Sequence, residues 1–463
     1  MWGICLDVMA DGGKLYQRAI EYEETSDKCT VHILQPVSDI KISVDKIMPV
    51  DKPPVFVYGE LVSIVEHSGT IGRIRDIIWH FKNHDYNYYI TINHRKKSKR
   101  YDSDELLKFD GQHLVGGGIG IRRMQLSIIV PVYNMAADGK LNYCMDSLVN
   151  QTISDYEIIA VDDASTDHSL EILREYERKY PGKVRVITYP VNRRQGGAKN
   201  EGLRAASGEW IGFIDSDDWI AYDYYEKLLK KAAETGADMV GCDYCLVGEH
   251  TYTVGKIVRN NDLDQTGVLD EEKHKKLFLR PGSMVIKIYK GDVIRKNGLM
   301  FPEGIFYEDN CAGSLWSLYF ERIEKVEEPL YYYYQHDFST VHYITEEKCR
   351  DRMTAMELLY EECRKRGFAE GYYQELEYRF AELYYVITLF SYLQGVKRPR
   401  LDFVKELRWG VAERFPEFEK NPYYCAYTGQ EEQKLIAMQA KSDVRFYWYY
   451  RLKQVVRRLR NRG

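Results

Sequence analysis

Asp215, Asp217 and Asp218 place three carboxylates within four residues at the end of an apolar run, Trp210-Ile211-Gly212-Phe213-Ile214. Charges packed this closely repel one another unless a cation neutralises them. A hard divalent ion, Mn2+ or Mg2+, held by carboxylate oxygens and completed by substrate phosphates, suits the grouping. The competing reading is a capping turn, with Asp217 or Asp218 opening a helix near Tyr222. Two more polar turns follow apolar runs upstream. Asp162 and Asp163 end one of them, where a carboxylate can accept from the imide N–H of a uracil ring and Ser165 or Thr166 would start the next helix. Pro131-Val132-Tyr133-Asn134 ends the other and would form the opposite wall of a base pocket.

These turns need a scaffold that brings them to one edge. From residue 126 the sequence alternates strand-like runs (126–132, 157–161, 184–189, 210–214) with helix-like ones (141–150, 169–179, 197–206), the pattern of βαβ units in a mostly parallel sheet. In such sheets ligands bind beyond the carboxyl ends of the strands, where the acidic turns fall. After Thr345, a plausible N-cap, the chain reads as helical, with Leu359 and Cys363 on an apolar stripe and Gly367 as a stop. A second helix is expected over 372–393 and another at the chain's end.

Upstream, short β-rich stretches (30–34, 40–44, 54–65, 71–81, 86–92) are separated by turn residues, as in small barrels or a sandwich. Both halves share an outline, which suggests two divergent SH3-like barrels over about 1–52 and 53–110. The expected organisation is a β-rich region (1–115), a glycine-rich linker (116–124), an α/β domain (125–343) and a helical region with a basic tail (344–463).

Composition narrows the function. Of 463 residues, 44% are apolar and 29% charged, which excludes a disordered or fibrous chain, and a net charge of -5 excludes a generic nucleic-acid binder. The longest apolar run, 383–393, is too short to span a membrane and reads as a buried helix. Asp7 and Asp11 sit where a secretory signal would be apolar, so a cytoplasmic location is expected. Nine scattered cysteines form no disulfide framework, and Cys242 with Cys245, a single CxxC, reads as reduced and half-buried. Arg95, Lys96, Lys97, Lys99 and Arg100 crowd an expected hairpin turn, either simply solvated or facing an anionic polymer or lipid surface. Basic residues crowd the C-terminus next to Phe446, Tyr447, Trp448, Tyr449 and Tyr450, which suits the anionic inner face of a membrane as well as a solvated tail.

Taken together, residues 126 to about 240 resemble the nucleotide-binding half of family 2 glycosyltransferases of GT-A fold. Five motifs in order carry the resemblance: 127–134, Ser147-Leu148-Val149-Asn150-Gln151-Thr152, 161–167, 192–202, and Gly208-Glu209-Trp210-Ile211 leading into Asp215-Ser216-Asp217-Asp218. A looser likeness continues through Phe301-Pro302-Glu303-Gly304-Ile305-Phe306-Tyr307-Glu308-Asp309. The resemblance implies a UDP-sugar donor held by Pro131, Tyr133, Asn134, Asp163, Lys199, Asp215, Ser216 and Asp218. It implies a metal at Asp217 beside Asp215, and a catalytic base in the pair Glu308-Asp309, with Asp309 as the base. His336 stands where relatives carry a basic residue and would reach the diphosphate or the metal. Where many members have Ala-Arg-Asn, this chain has Ala198-Lys199-Asn200, which keeps the charge without the bidentate fork.

The expected activity is inverting, metal-dependent sugar transfer to a hydroxyl of a bacterial surface polysaccharide, a lipid-linked glycan or a teichoic-acid-type polymer. The alternative is a catalytically silent GT-A scaffold or polymer-binding protein. A nucleotidyltransferase would need a glycine-rich, basic loop after the first strand, and Pro131-Val132-Tyr133-Asn134 is not one.

Overall fold

The computed structural model describes residues 124–335 and 344–460 throughout, and parts of 2–108 before them. Two compact units result, Met1–Arg122 and Arg123–Gly463.

The first unit holds two five-stranded antiparallel sheets. One contains β1 (Trp2–Cys5), β2 (Ala19–Glu24), β3 (Lys28–Leu34), β4 (Val37–Ser43) and β5 (Ile47–Pro49), in the order β4-β3-β2-β1-β5. The other contains β6 (Leu61–Ile64), β7 (Ile71–His80), β8 (Asp85–Ile92), β9 (Arg95–Tyr101) and β10 (Leu106–Lys108), in the order β10-β6-β7-β8-β9. Read from the opposite edge, the second order repeats the first strand for strand. Phe56, Val62, Ile64, Ile74, Ile77, Tyr88 and Ile90 form part of its core. The basic cluster is not a turn, as the sequence suggests, but an edge strand. Ile92 pairs with Arg95 and Tyr88 with Tyr101, and Lys99 and Arg100 stand exposed on β9. Lysines along a free edge discourage pairing with another strand, which explains their tolerance there. The glycines of the expected linker lie outside the described residues.

The second unit is built on a sheet whose parallel half comprises β11 (Leu126–Val132), β12 (Tyr156–Asp162), β13 (Val184–Thr188) and β14 (Trp210–Phe213). Helices α1 (Lys140–Val149), α2 (Ser169–Lys179) and α3 (Arg194–Ala205) connect them. Every residue of β11 is buried, because a central parallel strand is covered on both faces and reads as one apolar run. Pro131 fits there for a specific reason. Ile129 turns its carbonyl toward the β14 side, so the missing N–H of Pro131 falls on that side too, beyond the last β11–β14 pair, Ile129 with Phe213.

The rest of the sheet is mixed. It adds β15 (Trp219–Ile220), β16 (Met239–Val247), β17 (Lys256–Val258), β18 (Gly267–Val268), β19 (Lys287–Lys290) and β20 (Arg322–Tyr334), in the order β13-β12-β11-β14-β19-β16-β20-β15, with β17 beside β16 and β18 beside β20. Between them lie α4 (Tyr224–Thr235), α5 (Glu271–Leu279), α6 (Gly291–Lys296) and α7 (Glu308–Ser317). Cys242 and Cys245 are fully buried on β16, not half-buried, and carry free thiols.

The C-terminal helices are α8 (Glu346–Lys365), α9 (Tyr373–Phe380), α10 (Thr388–Gly395), α11 (Leu401–Arg414), α12 (Pro422–Tyr427), α13 (Gln430–Lys441) and α14 (Asp443–Arg460). Thr345 caps α8 by accepting the Lys348 N–H at 3.2 Å, and Gly367 past its end has φ +79°. The apolar run 383–393 is a continuous buried helix that passes through a π-turn at Ala381–Ile387 into α10. Among the described residues no helix is long and apolar enough to cross a membrane.

Two glycines set how α3 packs. A Cβ on Gly202 would come within 2.4 Å of the Ile129 side chain, and one on Gly196 within 1.9 Å of the Pro302 carbonyl oxygen. The second neighbour is backbone and cannot rotate away. Gly196→Ala is therefore expected to cost about 1–3 kcal/mol in urea unfolding and to displace the turn before α7, whereas alanine at Gly371, open around its Cβ position, leaves that turn in place.

Candidate active site

The carboxyl ends of β11, β12 and β14 form one side of a cleft, and the turn leading into α7 forms the other. On the first side, Asn134 donates its N–H to Ser165 Oγ at 3.0 Å and accepts from the Thr166 N–H at 2.8 Å. Ser165 and Thr166 thus tie two loops together rather than start α2, which begins at Ser169 with the Asp167 carboxylate accepting its N–H at 2.9 Å. Tyr133 is exposed beside them and Pro131 is buried. Asp163, 3% exposed, accepts the Arg193 N–H at 2.7 Å. Its pKa is raised by burial, opposed by that hydrogen bond.

The acidic turn divides its carboxylates between two tasks. Asp218 is buried beneath the loop, accepting from the Tyr331 hydroxyl at 2.6 Å and the Tyr334 N–H at 2.8 Å, so it pins the end of β20 to the turn. Burial, then the charges of Asp217 and Asp215, hold its pKa well above the usual carboxylate range. Neither Asp217 nor Asp218 caps the following helix; the N-cap of α4 is Asp223. Asp215 and Asp217 are half-buried, Ser216 is buried, and Asp215 accepts from the Gln195 side-chain amide. Burial pushes the Asp215 carboxyl up to about 7. Lys199 opposes this, while Asp217, Glu308 and Asp309 add to it.

A clamp across the cleft aligns the two sides. Asn200 on α3 donates to the Phe301 carbonyl and to Glu303 Oε1, both at 2.9 Å, and accepts the Phe301 N–H at 2.9 Å. Arg193 and Arg204 also bond Glu303, and the Gly304 N–H returns to the Arg193 carbonyl at 3.0 Å. Next to Asn200 on α3, Lys199 Nζ meets Glu308 Oε1 at 2.8 Å, with both side chains almost fully buried. Burial by itself would lower the Lys199 pKa, but Glu308 and then Asp215 outweigh it and the net shift is upward.

Asp309, next to Glu308 in the first turn of α7, is exposed. Desolvation of its carboxyl by neighbouring groups, then the Glu308 charge, raises its pKa. Helix α8 supports this turn from outside. Asp351 accepts the Phe306 N–H at 3.1 Å, and the Arg352 guanidinium lies 4.2 Å from the Tyr307 ring centroid. Asn134, Ala164, Arg194 and Tyr307, all beside the site, have positive φ of 54°, 58°, 62° and 64°. Each such residue costs of order 1–3 kcal/mol, so packing must hold these turns in place.

The structure therefore gathers Asp215, Asp217, Lys199, Glu308 and Asp309 at one cleft, with Tyr133, Asn134 and Asp163 on its β11–β12 side. Lys199, expected among the residues that hold the donor, has its ammonium on Glu308. His336 lies outside the described residues. No three His, Cys, Asp or Glu side chains among the described residues form a complete metal-ligand set. Asp217 and Asp215 would offer carboxylate oxygens to a hard cation. Sequence reasoning missed Gln195, Tyr331 and the Glu303 clamp. Asn200 lay inside a quoted motif, but Tyr331 reaches Asp218 across 113 residues with no local signal.

Parallel strands that end in an acidic cleft, faced by a helix start that carries two carboxylates, have the architecture of α/β domains that bind ligands at a sheet's carboxyl edge. Residues 127–288 match the model described as glycosyl transferase family 2, and this chain carries a domain of that family. Residues 21–107 match a family of unknown function, DUF6960. An uncharacterized glycosyltransferase, YibD of Escherichia coli (strain K12), is 33% identical over 221 residues, 46% of this chain and 62% of that protein. A poly(ribitol-phosphate) beta-glucosyltransferase of Bacillus spizizenii is 35% identical over 190 residues, 39% of this chain and 27% of that protein. The chain thus spans less than two thirds of the length of these relatives. The crystal structure of S. aureus TarS superposes with a TM-score of 0.50 at 21% identity, covering 68% of this chain and 55% of that one, which establishes a shared fold.

Two stability measurements check the electrostatics. Lys199→Met leaves a buried carboxylate without its cation and is expected to cost about 3–5 kcal/mol in urea unfolding; adding Glu308→Gln should recover more than half of the loss. The folded pKa of Asp215, about 7, exceeds the ordinary 3.8, so the folded chain holds the extra proton and stability falls as pH rises between those values. Asp215→Asn should therefore raise the melting temperature at about pH 8 and leave it unchanged below about pH 4.

Proposed function

We propose that this protein is an inverting glycosyltransferase that moves a sugar from a UDP-sugar to a hydroxyl of a surface polymer. The observation that carries the proposal is that the acidic turn with Asp215 and Asp217 follows β14 on one side of the cleft while Asp309 opens α7 on the other, with α3 tied to that helix start by the Lys199–Glu308 pair. That arrangement sets a cation-seeking carboxylate opposite a carboxylate that can act as a base.

In this reading Tyr133, Asn134 and Asp163 receive the base, Asp215 and Ser216 the ribose and diphosphate, and Asp309 the proton of the acceptor hydroxyl. The hydroxyl oxygen attacks the anomeric carbon in line as its proton passes to Asp309, and the bond to the nucleoside diphosphate breaks on the opposite face. The raised pKa of Asp309 makes it a better proton acceptor than an ordinary carboxylate once ionised. Lys199 holds Glu308, which fixes the helix start that carries Asp309. Mn2+ or Mg2+ bound by Asp217 beside Asp215 would neutralise charge on the departing diphosphate.

An acceptor of the polyol-phosphate class is supported by the likeness to the poly(ribitol-phosphate) beta-glucosyltransferase. A polysaccharide or lipid-linked glycan would present the same kind of hydroxyl. The two N-terminal sheets, with their matching strand order, are read as divergent copies of one SH3-like barrel that bind polymer or protein. A cytoplasmic, membrane-peripheral location fits the same activity.

Nucleotide release from UDP-, GDP-, CDP- and TDP-sugars, with and without Mn2+, tests the proposal. Metal-dependent release from a UDP-sugar is expected, with loss in Asp217→Ala and a fall of about 10²–10⁴-fold in Asp309→Asn. A folded protein that binds no nucleotide with metal present would support the silent-scaffold reading instead. Because Asp309 works ionised and its pKa is raised, the acid limb of kcat/KM should lie above the ordinary carboxylate range and disappear in the residual activity of Asp309→Asn.

A further inference from the structure

Helix α14 is not a frayed tail. Its inner face is fastened to the helices before it, with Phe446 0% and Tyr450 5% exposed. The Tyr447 hydroxyl donates to the Pro399 carbonyl at 2.7 Å, and the Gln454 side chain donates to the Leu393 carbonyl at 2.8 Å. Arg408 grips Asp443, at the helix start, through two hydrogen bonds of 2.9 and 3.1 Å.

The opposite face carries an exposed apolar row, with no covering element among the described residues of this unit. Val444, Trp448, Leu452 and Val456 are 49%, 65%, 66% and 45% exposed. Residues four apart stack along one side of a helix, so these form a single stripe about 18 Å long. Tyr449, 46% exposed, lies beside it. Lone exposed apolar residues are ordinary, but a continuous stripe led by tryptophan marks a contact surface.

The charge around the stripe selects its occupant. Residues 444–463 contain seven Lys or Arg (Arg445, Arg451, Lys453, Arg457, Arg458, Arg460 and Arg462) and no acid, in a chain of net charge -5. A second copy docked through this stripe would bring like charges together, whereas an anionic lipid surface neutralises them and accepts the apolar row. We infer that α14 docks this protein on an anionic phospholipid surface, lying in the interfacial plane with Val444, Trp448, Leu452 and Val456 among the lipid chains. An interfacial helix needs an apolar face with tryptophan and a cationic flank, and α14 presents both already folded. The inference identifies the membrane-peripheral contact of the functional reading but does not depend on sugar transfer, so each can fail without the other.

The test is sedimentation of the full chain with phosphatidylcholine vesicles, with and without about 30 mol% phosphatidylglycerol. The wild type is expected to pellet with the anionic vesicles only and to be released at about 0.5 M salt. Trp448→Glu combined with Leu452→Glu, both at exposed positions, should lower vesicle partitioning at least about tenfold while keeping the melting temperature and the nucleotide-release rate in solution. The inference is overturned if the wild type stays in the supernatant with both vesicles, or if the double variant pellets as the wild type does. It is equally overturned if sedimentation equilibrium shows a wild-type dimer that the variant loses, because the stripe is then a self-interface.

Discussion

The buried contact between Lys199 and Glu308 governs the cleft. It joins α3 to the start of α7 across 109 residues of sequence and places one cation among Asp215, Glu308 and Asp309. Burying an ammonium is costly unless it is paired, and here the pairing acid also fixes the helix turn that bears Asp309. The same lysine limits how far Asp215 is driven toward protonation. One interaction therefore sets both the spacing of the two walls and the field between them. An arginine at this position could not present the same compact charge in the same space.

The close approach of Gly196 to Pro302 and the Asn200–Glu303–Arg193 network reinforce that pair from either side. Four turns around the cleft adopt left-handed backbone at residues other than glycine, and they stay folded because hydrogen bonds and stacked rings hold them. Acid crowding adds to that cost. Asp218 is spent on anchoring β20, and Asp215 is held where its charged form is disfavoured. The site is thus an arrangement the fold opposes locally and sustains globally, as expected where geometry serves chemistry rather than stability.

Much of the α/β core was legible in the sequence because strands buried on both faces are written as unbroken apolar runs. Leu126–Val132 and Trp210–Phe213 are of that kind, and the polar residues after them announce the cleft. Helix α2 was equally legible, expected over 169–179 between two strand runs and found at Ser169–Lys179. What stayed hidden depends on distant partners. Nothing near Tyr331 says that its hydroxyl meets Asp218, and a Glu-Asp pair does not reveal that its glutamate belongs to a lysine on another helix. In the first unit, β1, β2, β5 and β10 are too short or too mixed in character to stand out, and β9 is so basic that charge masked its strand pairing.

Helix α8 bears on how such a protein can be divided. Its Asp351 and Arg352 brace the turn ahead of Asp309, and its Glu347 bonds Arg194 at 2.8 Å at the start of α3. The α/β domain and the helices after it are consecutive in sequence, yet the alignment of the carboxylates is shared between them. Recombination that exchanged the α/β domain alone would carry every motif residue and lose the brace that orients them. The unit that evolution or a protein engineer can move intact therefore extends past the matched family segment, through α8 at the least.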